Sequence, residues 1–196
     1  DLLTHILRRR REAWETITLA KLTAKGKALK DDNWKERYVE PSKPKTDGLP
    51  GLPDGWAWGS PEQLKSAASY ALAIGPFGSN LVVADYRDSG VPLIFVRHVR
   101  TGNFKGQSPK FVTTNKASEL AAHITRGGDV LVTKMGDPPG EACLYPWAAP
   151  NAVITADCIK WTLHDQFPSP PFMVHAINSC LGAEQIKRLT KGVAQQ

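Results

Sequence analysis

The sequence predicts an α/β (α+β) protein: a single domain around a twisted mixed β-sheet, preceded by an N-terminal helix and a Pro/Lys-rich linker. Three observations carry this expectation. Apolar residues recur at helical spacing through the first 22 positions. Pro41, Pro44, Pro50 and Pro53 then block any regular element over residues 40–55. From residue 56 onward, short β-branched and apolar runs alternate with loops punctuated by Gly and Pro.

In the leading helix, expected over residues 1–22, Leu3, Leu7, Trp14 and Ile17 form a heptad-like stripe with Arg10 filling the gap. Leu2, Ile6 and Ala13 widen that stripe, while Arg8, Arg9, Arg11, Glu12 and Glu15 occupy the opposite side. Residues 23–55 read as a linker whose end is anchored by Leu49, Leu52 and Trp56. The domain proper, residues 56–196, opens on the strand-like alternation of Trp56, Ala57 and Trp58. Ser60 is a suitable N-cap, and Pro61 a suitable first-turn residue, for a short helix over 61–68. Residues 75–80 form a tight loop. The apolar run 91–99 reads as one buried strand and 111–113 as another. Thr114 or Asn115 caps a helix reaching His123. A strand over 129–133 follows the Gly127-Gly128 turn, and 135–140 makes a second Gly/Pro loop. Residues 158–163 alternate as a strand, and 172–180 and 183–189 read as helices.

With 196 residues, 41% hydrophobic and 22% charged, the composition is that of an ordinary globular protein. No run of eighteen apolar residues predicts a membrane-spanning helix, and no signal-peptide pattern is present. The chain opens on Asp1 rather than Met and is expected to be part of a longer one. Cys143, Cys158 and Cys180 are odd in number and widely spaced. That pattern argues against a disulfide framework or a zinc knuckle and for a cytoplasmic location, with each cysteine a small buried apolar residue. The net charge of +6 is uneven. Residues 1–45 hold twelve Lys/Arg against seven Asp/Glu, and residues 97–134 hold seven against two. Two basic blocks of this kind favour a polyanionic partner through phosphate contacts.

Motifs for catalysis are missing. There is no G-x-S-x-G elbow, P-loop, H-E-x-x-H or G-x-G-x-x-G, and the five histidines lack ligand spacing. Asp137-Pro138-Pro139-Gly140 resembles the D-P-P-Y signature of DNA amino-methyltransferases. Gly140 stands where the base-stacking aromatic belongs, however, and the glycine loop for S-adenosylmethionine is lacking.

Recognition residues fit better. In the loop at 75–80, Gly78, Ser79 and Asn80 offer backbone amides unobstructed by bulk, suited to phosphate approach. Arg97, His98, Arg100, Asn103, Lys105, Gln107 and Lys110 cluster about a Thr-Gly-Asn turn. Arg carries the fork that reads guanine edges, and Asn and Gln the amides that read adenine edges. Lys105, Lys110 and Lys134 suit phosphate anchoring.

Several stretches, in order, resemble the specificity subunit of type I restriction-modification enzymes. The Leu2–Leu7 and Arg8–Glu15 segments are similar to the exit from that family's spacer region. Leu49-Pro50-Gly51-Leu52-Pro53-Asp54-Gly55-Trp56-Ala57-Trp58 resembles its L-P-x-L-P-x-G-W-x-W opening. Gly75-Pro76-Phe77-Gly78-Ser79-Asn80-Leu81 resembles its G-P-F-G-S-x-L loop, and Gly90-Val91-Pro92-Leu93-Ile94 its G-V-P-x-I strand. Residues 128–136 resemble its G-D-[IV]-L strand with the following glycine loop, and residues 190–196 the boundary before the next spacer helix. The resemblance implies a target-recognition domain that reads one half of a bipartite double-stranded DNA site. It implies methyltransferase subunits as partners and, through them, the restriction subunit. It implies no cofactor of the chain's own, S-adenosylmethionine, ATP and Mg belonging to partner subunits. A recognition domain fused to a catalytic domain, as in another restriction-modification class, is the alternative.

Overall fold

The computed structural model describes residues 1–26, 31–106, 110–167 and 169–190. The chain forms two compact units, residues 1–68 with 164–167, and residues 69–163 with the C-terminal segment. Trp56, expected to open the domain, lies in the first of them and is exposed.

In the first unit, α1 runs Leu2–Ala24, with the Asp1 side chain accepting from Thr4 N at its start. Ile6 is fully enclosed, whereas Ile17 is 50% exposed. The inward line therefore passes through Ile6, Arg10, Ala13 and Trp14, three- and four-residue steps of one helix face, and Ile17 falls outside it. Arg10 donates to Lys65 O at 2.8 Å. The linker is more structured than its composition suggests. A 3₁₀ turn, Asn33–Arg37, buries Trp34 against Trp14 with ring centroids 6.0 Å apart, and Tyr38 packs on Trp14 at 5.3 Å. Helix α2, Pro61–Leu64, is held by reciprocal Ser60–Gln63 capping and stops short of the expected Ala68. Residues 56–58 form no strand.

In the second unit the single expected sheet is two sheets and a ribbon. The first sheet orders β1 (Leu72–Ile74), β10 (Cys158–Trp161), β7 (Val130–Thr133) and β8 (Ala142–Leu144), all antiparallel. The second orders β5 (Phe111–Val112), β2 (Val91–Ile94), β9 (Ala152–Ile154) and β6 (Ile124–Thr125), and its β2–β9 pair is parallel. The ribbon pairs β3 (Val99–Arg100) with β4 (Asn103–Phe104). The apolar run at 91–99 is thus not one strand. A 3₁₀ turn at Val96–His98 divides it.

Strand alternation sends the central pair into two cores. Leu93 and Val153 join Val112, Ala117 and Leu120, while Ile94 and Ile154 join Val99, Leu131, Cys143, Tyr145 and Cys158. Each such enclosed side chain contributes about 1.5–3 kcal/mol. Helix α3, Thr114–Glu119, is capped by Thr113, one residue before the expected position. Helices α4 (Pro170–Asn178) and α5 (Cys180–Leu189) meet at Ser179, which caps α5. Burial pushes the Cys143 and Cys158 thiols up to about 12. Cys180, expected to be buried, is exposed.

Candidate nucleic-acid interface

Register decides which loops share an end of the second unit. Ile74, Ile159, Val132 and Ala142 lie side by side across the first sheet. The 75–80 loop, the 134–141 loop and the turn before β10 therefore leave from the same end. Because β2 and β9 are parallel, the segment after Ile94 emerges there too. Thr155 ties it down, its N and Oγ1 both donating to Ile94 O at 2.9 Å.

Close contacts connect these loops. Gly75 N donates to Cys158 O at 3.0 Å, and a Cβ on Gly75 would fall 2.0 Å from Thr155 O, so the loop passes flush over the turn. The Lys134 ammonium lies 4.4 Å from the centre of the Phe77 ring. Lys134 N and Met135 N both donate to Asp157 O. The ribbon joins through Glu141, whose Oε1 accepts from Thr101 N at 3.1 Å and Thr101 Oγ1 at 2.8 Å.

The expected reader residues divide by burial. Arg97 is exposed, its guanidinium stacked 4.3 Å from the Phe95 ring centre. Asn103 and Lys105 are exposed on the ribbon. Lys134 is half-buried beside Phe77, and Gly78, Ser79 and Asn80 form an exposed 3₁₀ turn with Gly78 at φ +53°. His98 corrects the expectation of a contact residue. It is 4% exposed, its Nδ1 accepts from Phe95 N at 3.1 Å, and its ring packs between Phe95 and Phe104. Burial, and secondarily the Arg97 charge, hold its imidazole below the ordinary value. Arg100 spends Nη1 on Val96 O, Val99 O and Glu141, so it braces the ribbon. Lys110 pairs with Asp88 at 2.9 Å. Gln107 lies outside the described residues, as does most of the expected 190–196 boundary. The loop amides are less open than expected, since those of Gly75 and Asn80 are already donating.

Phe77 and Glu141 join the site without having been expected there. An aromatic between Pro and Gly, outside any alternating run, is a signal for the first. A carboxylate forty residues from its partner leaves none. Within the 137–140 motif, Gly140 is a packing position, while Asp137 and Pro138 are exposed. A Cβ on Gly140 would lie 2.7 Å from Ile186 Cδ1, and Gly140 N is fixed by Thr133. Among the described residues, no three His, Cys, Asp or Glu are grouped to hold a metal ion, and no helix is long and apolar enough to cross a membrane. The exposed Asp137 and Asp157 offset part of the positive charge at this end.

Among solved structures, the chain is similar to the HsdS subunit from Thermoanaerobacter tengcongensis, with a TM-score of 0.50 and 13% identity over 97% of this chain. The fold is that of HsdS. The chain spans 39% of the length of that subunit. A second solved structure, of a type I R-M system, gives a TM-score of 0.49 and 15% identity over 98% of this chain and 40% of that one. No protein-family model and no curated protein matches the sequence. On the HsdS fold, the mixed α/β architecture and leading helix expected from the sequence are both present.

Proposed function

We propose that this chain recognises double-stranded DNA in a sequence-dependent way, as the target-recognition part of a type I restriction-modification specificity subunit in the cytoplasm. It reads one half of a bipartite site and performs no chemistry itself. Methyltransferase subunits, and through them the restriction subunit, are its partners and hold S-adenosylmethionine, ATP and Mg. The observation that carries this reading is the gathering of Arg97, Asn103, Lys105, Lys134 and the turn Gly78–Asn80 at one end of a domain with the HsdS fold. An ammonium on the loops there meets phosphates, and the planar groups of Arg97 and Asn103 suit base edges.

Selection from a random duplex library, followed by titration against salt, tests it. Binding weakens linearly in log–log form as salt rises. Lys105→Ala lowers that slope by about one for every sequence. Arg97→Ala costs about 1–3 kcal/mol on the selected sequence and far less on others. Selection that enriches no sequence, or affinity indifferent to salt, refutes the reading.

A further inference from the structure

The segment leaving β1 carries three exposed apolar side chains: Phe77 at 56%, Val82 at 41% and Val83 at 78%. A loop that only turned the chain would gain nothing from them, because apolar surface in water is unfavourable. Of the three, Phe77 has a cation against its ring, whereas Val82 N donates to the Asp85 carboxylate. The Lys134 ammonium lies against the Phe77 ring, and the 134–141 loop passes close to Val96, which precedes Arg97. A Cβ on Gly136 would be 3.8 Å from Val96 Cγ2. Apolar protein partners favour contact cores depleted of charge. An aromatic beneath an ammonium, with Arg97 on the adjoining turn, is complementary instead to a polyanion with apolar faces between its charges. Duplex DNA has that composition, with phosphates outside and sugar and base faces within.

We propose that Phe77 is an apolar wedge against the sugars and base steps of bound duplex DNA, while Lys134, held beside it, meets a neighbouring phosphate. The inference rests on the DNA-recognition reading and adds a salt-independent contact to it. The ring excludes water from a base step. Held against the Phe77 ring, Lys134 arrives with part of its side-chain freedom already spent.

Salt separates the two contributions. The 196-residue chain and its Phe77→Ala, Phe77→Leu and Lys134→Ala variants are titrated with a mixed-sequence duplex of about 30 base pairs, between about 50 and 200 mM salt. Phe77→Ala is expected to weaken binding about tenfold at every salt concentration, giving a line parallel to the parent's. Phe77→Leu, still a wedge, is expected to stay within about threefold of the parent, and Lys134→Ala to flatten the slope by about one. Thermal midpoints of the Phe77 variants are expected to be unchanged, since the ring is exposed. Phe77→Ala within twofold of the parent, or Phe77→Leu as weak as Phe77→Ala, overturns the wedge while leaving DNA recognition standing. A parent chain that binds no duplex at any salt overturns both.

Discussion

A methyl group on Gly75 would collide with the carbonyl of Thr155 at 2.0 Å. Here glycine serves backbone approach, not φ freedom, and it sets the height of the 75–80 loop over the sheet. His98 shows how burial assigns roles that composition leaves open. Arg97 and His98 are neighbours of similar chemistry, yet one is exposed and the other enclosed by Phe95 and Phe104. The 98 imidazole is held neutral below the ordinary histidine value, so the unfolded chain takes up a proton that the folded chain resists. Stability therefore falls as pH drops from about 7 through the unfolded value of about 6.5. His164, also buried and shifted downward chiefly by burial, adds to the same slope. His98→Asn keeps an acceptor for Phe95 N and is expected to reduce the loss of urea midpoint between pH 7 and pH 5. An unchanged pH dependence would show that His98 is not the group responsible. The basic ribbon and both glycine loops were legible as residues. Which of their side chains face solvent was not, because that depends on ring contacts such as Phe104 on Tyr145, forty-one positions away.

At the scale of elements, patterned segments were readable, and so were short ones with a local signal, such as β5 and the Ser60-capped α2; β1, β6, β8 and β9 were not. Helix α1 and strands β7 and β10 carry periodicity over enough residues to declare themselves. Strands β1, β6, β8 and β9 span two or three residues each, and such runs acquire strand geometry only from their neighbours. Strand β8 shows how an edge is then closed. Asn178 on α4 accepts from Ala142 N at 2.9 Å and donates to Ala142 O at 2.8 Å, imitating one residue of a further strand. Gly102 N shares the same carbonyl. Because Ala142 is fully buried, Asn178→Ala is expected to cost about 1–3 kcal/mol by leaving its amide unpaired. Asn178→Asp, keeping the acceptor only, should lose less. Guanidinium unfolding of the two variants checks the ranking, and equal stability of Asn178→Ala and the parent would count against it.

For the molecule as a whole, the unforeseen feature is the pair of sheets, and a buried polar cluster fastens them. Asp129 Oδ2 accepts from Thr125 Oγ1 at 3.0 Å and Arg126 N at 2.9 Å, and its Oδ1 accepts from Thr162 Oγ1 at 2.6 Å. Lys160 Nζ donates to Ile124 O at 2.6 Å, and burial lowers its affinity for a proton despite the nearby Asp129 charge. The aspartate of the 128–136 motif thus fixes the turn from β6 of one sheet into β7 of the other. Asp129→Ala leaves two hydroxyls and an amide without their acceptor and is expected to cost on the order of 3 kcal/mol. A loss below about 1 kcal/mol in urea titration would assign the fastening to apolar packing alone.

The parallel pairing of β2 with β9 also sets a kinetic demand. Leu93 meets Val153, and Ile94 meets Ile154, across some sixty intervening residues. Those residues contribute α3 and most of the other strands. Hairpins such as β3–β4 and β7–β8 close locally, but the seam between the two cores forms only after a large loop has been drawn shut. The entropy of that closure is spent before the seam's contacts return it. Refolding of this domain is therefore expected in milliseconds to seconds rather than microseconds. On a ribosome, the seam waits until Ile154 has cleared the exit tunnel, with β2 exposed in the interval.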